Sequence, residues 1–136
     1  MKITILAIGL FISAQASALN TNTKAIVDKP LLKEQYSSPF FLFLRGHKQG
    51  RGYNLQWSMS SNTGIEKFEI QYTYEDPTDP YSNWYTAGWV NNLNQNIFKY
   101  TDMGAIQGTI NYRIIAILTN NSGTVVSGIY TCVIGQ

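Results

Sequence analysis

One cysteine, one histidine and four prolines in 136 residues are few, and each scarcity removes a class of protein. A lone Cys132 forms no intramolecular disulfide, so the fold must rest on burial. One histidine and one cysteine cannot supply the three or four ligands of a zinc site unless carboxylates complete the set. Charge is scarce too. Ten Lys+Arg against eight Asp+Glu leave a formal +2, and with no cluster of basic residues along the chain this predicts no nucleic-acid partner. No apolar run reaches the roughly 20 residues of a membrane-spanning helix, so membrane insertion is not expected. The length suits one domain and excludes a multidomain machine. What the chain has in quantity is aromatic side chains: nine Tyr, six Phe and three Trp.

The N-terminus reads as an address. Lys2 gives a positive start, Ile3 to Ile12 is an apolar stretch broken only by Thr4 and Gly9, and Ala16-Ser17-Ala18 has the small-x-small form of a cleavage site. Residues 1–18 are therefore expected to be a secretory signal peptide, with the mature protein secreted, periplasmic or at the cell surface. Residues 19–38 sustain neither a helical nor a strand period and are expected to be a flexible leader, in which Leu31 to Tyr36 has room for one helical turn or an edge strand.

From Pro39 to the end, residues 39–136, the pattern is that of successive strands. Phe40 to Leu44 is a short apolar run that predicts a buried strand, and Gly46, Gly50 and Gly52 predict a loop. Tyr53, Leu55, Trp57 and Met59 alternate with polar residues, as do Phe68, Ile70, Tyr72 and Tyr74. This period of two puts one face on a core and the other in water. Pro77 and Pro80 close the second of these strands. Asn83 to Val90 predicts a shorter strand broken at Ala87-Gly88, Ile97 to Thr101 another, Ile110 to Leu118 one covered on both faces, and Val125 to Ile134 the last, after a hairpin turn at Asn120-Asn121-Ser122-Gly123. About seven strands with no helical stretch between them argue for an all-β, antiparallel two-sheet β-sandwich.

Within this pattern Leu55-Gln56-Trp57, Phe68-Glu69-Ile70-Gln71-Tyr72, and Ile106 followed by Tyr112 and Arg113-Ile114-Ile115-Ala116 resemble the second strand, the third strand and the tyrosine corner of a fibronectin type III domain, an immunoglobulin-like sandwich. The resemblance covers roughly Pro39 to Ile134. It implies that Trp57, Tyr72 and Tyr112 are structural core, with Trp57 between the sheets and the Tyr112 hydroxyl on upstream backbone. The corner carries Ile106 and Gly108 where the family usually has leucine and proline.

No residue pattern points to catalysis. His47 in a Gly-rich stretch and Cys132 on the last strand are the one thiol–imidazole combination available, and no nucleophile-elbow motif recommends a serine. Glu75, Asp76 and Asp79 lie close in sequence but lack the loop of a calcium site, and they read as a proline-stiffened turn. Asn120-Asn121-Ser122 matches a glycosylation acceptor. Tyr81, Trp84, Tyr85 and Trp89 are the candidate ligand-binding residues, since alternate rings on a loop and short strand must include some that face away from the core. The expectation is a non-catalytic binding or interaction module with no cofactor or metal, recognising a protein partner. The alternatives are a carbohydrate-binding module using those rings and a structural subunit of a surface assembly.

Overall fold

The structure, a computed structural model, describes residues 37–135, so the expected signal peptide and all but the end of the expected leader lie outside the described residues. Eight strands follow one another: β1 (Phe41–Gln49), β2 (Gly52–Met59), β3 (Ile65–Thr73), β4 (Tyr85–Asn91), β5 (Phe98–Asp102), β6 (Gly108–Leu118), β7 (Thr124–Val126) and β8 (Tyr130–Ile134). They form two antiparallel sheets. One has the order β1-β2-β5, the other β4-β3-β6-β7, with β8 pairing β6 beyond the end of β7. The described residues are thus all-β, apart from a single 3-10 turn at Thr119–Asn121, and the sheets close over one core.

The two clean alternating segments supply that core. Leu55 and Trp57 from β2 and Phe68 and Ile70 from β3 are wholly buried, together with Ile110, Tyr112 and Ile114 of β6. Trp57 stacks on Phe98 at 5.9 Å and meets the edge of Phe68 at 5.4 Å. Each such side chain contributes about 1.5–3 kcal/mol on burial. The Trp57 Nε1–H finds no acceptor, so the indole holds its place by packing alone. Tyr72 is only half-buried, at the end of the sandwich against Tyr74 and Tyr85.

Three sequence expectations are corrected. First, β1 is an edge strand with Leu42, and Phe40 just before the strand, exposed, and it runs on through Gly46 to Gln49. Gly46 is not a loop residue. A Cβ there would lie 2.5 Å from Tyr53 and 3.0 Å from Tyr130, whose hydroxyls bond each other at 2.9 Å, so glycine keeps the strand paired beneath this ring pair. Second, the last strand is divided. Ser127 continues the β7 register, its N–H donating to the Ile114 carbonyl and its Oγ accepting from the Ile114 N–H at 2.8 Å. Tyr130 then faces Tyr112, leaving Gly128 and Ile129 opposite Arg113 as a bulge. Third, the Tyr112 hydroxyl donates to the Asp102 carboxylate at 2.9 Å and not to backbone. The same carboxylate accepts the Gly104 N–H, so it fixes the bend after β5 to the centre of the second sheet.

Candidate functional site

The aromatic segment begins in the loop after β3. Asp76 accepts the Thr78 N–H at 2.9 Å, Asp79 accepts the Tyr81 N–H at 2.9 Å, and Glu75 accepts the Asn83 N–H at 2.9 Å. These bonds hold the Glu75 and Asp76 carboxyls below the usual carboxylate range, the backbone N–H of Asn83 and of Thr78 being the largest cause in each. The three acids are spent on the turns of their own loop. The loop is thereby shaped without a core of its own, and it carries Tyr81 with its ring 88% exposed.

In β4 the register slips by one residue, Gly88 facing Ile70 and Thr86 facing Gln71, so Ala87 is extra. The bulge undoes simple alternation. Thr86 and Trp89, three positions apart, both stand on the outer face of the sheet, opposite Gln71 and Glu69. Gly88 is required there. A Cβ would lie 2.5 Å from the Tyr100 hydroxyl, which reaches across from β5 to donate to the Ala87 carbonyl at 2.6 Å. Beside this bridge lies a groove of about 340 Å³ bordered by Tyr72, Ala87, Tyr100 and Met103.

On the outer face the polar residues form one network between two tryptophans. The Arg113 guanidinium lies 4.0 Å from the centre of the Trp84 ring, and its Nε–H donates to Gln71 at 2.8 Å. Gln71 donates to Glu69 at 3.0 Å, and the Thr86 hydroxyl bonds the same carboxylate oxygen. The Lys67 ammonium lies 4.9 Å over the Trp89 ring. Partial burial lowers the pKa of Arg113, yet guanidinium remains charged at any physiological pH. The result is a flat, pre-ordered patch with aromatic ends and a hydrogen-bonded middle.

The structure therefore brings together two of the four candidates. Trp84 and Trp89 share the outer face, Trp84 half-buried under Arg113 and Trp89 51% exposed. Tyr85 turns the other way, its ring against Tyr72 at 5.7 Å, and Tyr81 stands apart on the loop. Lys67, Glu69, Gln71, Thr86 and Arg113, which complete the patch, carry no motif in the sequence. The alternation of β3 marked Lys67, Glu69 and Gln71 as outward-facing, whereas nothing in the sequence placed Thr86 and Arg113 beside them. His47 and Cys132 are not brought together: His47 is exposed on β1, whereas Cys132 is buried opposite Ile110, where burial pushes its thiol pKa up. Among the described residues no group of three metal-ligating side chains forms. No helix among them is long and apolar enough to cross a membrane. No protein-family model matches this chain, and no curated protein is significantly similar to it.

Proposed function

We propose that this chain is a secreted, non-catalytic binding module of fibronectin type III type, which recognises a protein partner through the outer face of the β4-β3-β6 sheet and the Tyr81 loop. The observation that carries the reading is the exposure of Trp89 at the end of an ordered polar network, with Tyr81 exposed separately on the loop that precedes β4. Exposed, immobilised aromatics flanked by Arg are the usual anchors of protein interfaces. The family reading is supported by the strand order, since the fourth strand lies beside the third, where a constant-type immunoglobulin sandwich puts it in the first sheet. Secretion is supported by the residue pattern of the first eighteen positions.

The two alternatives fit less well. A sugar platform needs neighbouring bare rings. Here Trp84 and Trp89 each carry a cation on one face, and the other two candidate rings, Tyr81 and Tyr85, both exposed, are apart, one on the loop and the other turned against Tyr72. An assembly subunit would present a long, plain edge for strand addition. The β1 edge is bulged at Leu42 and carries Arg45 and Lys48, and the β4 edge is bulged at Ala87, all features that discourage edge pairing. The test is co-purification of the tagged chain from its native source, compared with the Tyr81→Ala/Trp89→Ala variant. A partner retained by the wild type and lost from the folded variant is expected. Equal retention by both, or tight binding to a neutral glycan on an array, refutes the reading.

A further inference from the structure

The topology gathers basic residues that are scattered in sequence. Arg45 of β1 faces Gln56 of β2, and Gln56 faces Lys99 of β5, so the two cations lie in one row across the outer face of the three-stranded sheet, about 10 Å apart at two strand spacings. The next row begins with His47, opposite Asn54. Lys48 and Arg51 stand at the hairpin that ends the same sheet, and all five side chains are exposed. The one acid on these strands, Asp102, is buried beneath Tyr112. Among the described residues no carboxylate pairs with any of the five. Glu66, Glu69, Glu75, Asp76 and Asp79 all lie on β3 or its loop, in the other sheet.

This basic face is also ordered. Arg45 rests over the Phe43 ring at 4.9 Å and donates to Gln56 at 3.0 Å; Gln56 donates to Asn54 at 3.2 Å, and Asn54 to Thr101 at 3.0 Å. One edge of the guanidinium is thus committed, and its remaining N–H groups are free for an oxyanion. The one aromatic on these outward positions, Phe43, lies under the Arg45 guanidinium, and no Tyr or Trp stands beside it as a platform on which bases stack. Phe40 and Leu42, exposed just before β1 and at its start, lie outside the Arg45–Gln56–Lys99 row, which holds no apolar anchor of the kind a protein interface needs. Cations spaced along a flat row of amides and hydroxyls suit a chain that carries both anionic groups and hydroxyls.

We infer that the outer face of the β1-β2-β5 sheet is a second binding surface, for a linear acidic polysaccharide bearing carboxylate or sulfate groups, with Arg45 and Lys99 as its principal contacts. This site is independent of the aromatic face and lies on the other sheet.

The test is titration of the full chain with heparin, with alginate and with neutral dextran at low and at physiological salt. Binding to heparin or alginate that weakens with salt, with dextran inert, is expected; preference for heparin assigns sulfate and preference for alginate assigns carboxylate. Arg45→Gln/Lys99→Gln, with its melting temperature checked, should bind about tenfold more weakly. Glu66→Gln raises the net charge on the other sheet and should leave the affinity unchanged. Absence of binding at low salt, or equal affinity in the double variant, overturns the inference. Tighter binding to duplex DNA or to anionic vesicles than to either polysaccharide overturns it as well.

Discussion

Tyr112 shows how much of this core turns on one hydroxyl. Its partner Asp102 is buried and receives only that O–H and the Gly104 N–H. In Tyr112→Phe one carboxylate oxygen is left without a donor, a loss of about 1–3 kcal/mol. Urea denaturation should show a lower midpoint with an unchanged slope. Tyr53 and Tyr112 both have pKa values raised by burial first, with the Tyr130 hydroxyl adding to the first and Asp102 to the second. The sign follows from proton linkage. The folded state holds these protons more tightly than the unfolded chain, so their contribution is complete below the ordinary tyrosine pKa of about 10 and falls as the pH rises beyond it. The melting temperature is expected to be level to about pH 8 and to fall gently above it, as the Cys132 thiol, also raised by burial, ionises more readily in the unfolded chain. Beyond about pH 10 it should drop more steeply, this last part being smaller in Tyr112→Phe. Cys132, buried with its pKa raised, should react with a thiol reagent only on unfolding in urea, and rapid labelling of the native chain would contradict its place in the core.

At the scale of elements, alternation in β2 and β3 made the sandwich and its core legible, because a period of two leaves those strands only one way to bury Trp57 and Phe68. In β6 an apolar run and the resemblance to a tyrosine corner pointed to Tyr112. It failed where the register slips. Trp84 and Trp89 are five positions apart and would face opposite ways on a regular strand; the extra Ala87 puts both outside. The division between β7 and β8 was marked only by Ser127-Gly128, a turn dipeptide set between apolar pairs that together read as one strand, and Ser127 still bonds the Ile114 backbone. Gly46 reads as loop in sequence because the rings that require a glycine there meet it only through strand pairing, Tyr53 across the β1–β2 hairpin and Tyr130 from the last strand. The β4 bulge makes its own prediction. Gly88→Ala should cost about 1–3 kcal/mol by overpacking against Tyr100. In a Tyr100→Ala background the same change should cost almost nothing, so the double-mutant cycle should be strongly non-additive. Additive losses in denaturation would show that Tyr100 does not occupy the space over Gly88.

For the whole molecule, the small net charge concealed a division between the sheets. Basic residues that do not cluster along the chain meet across β1, β2 and β5, while the exposed acids stay with β3 and its loop. Strand pairing decides this, and no local window of the sequence contains it. The molecule accordingly has two unlike faces, one aromatic with cations seated on its tryptophans and one basic whose cations pair with no carboxylate among the described residues. The aromatic face is the one on which the proposed function depends. Photo-crosslinking from single positions in the native host tests it most directly, with a photoreactive phenylalanine at Tyr81, at Trp89 or at Gln56 on the opposite sheet. One discrete protein adduct shared by positions 81 and 89 and missing at 56 is the expected result. No adduct at 81 and 89, or the same adduct from all three positions, would contradict a partner held on that face.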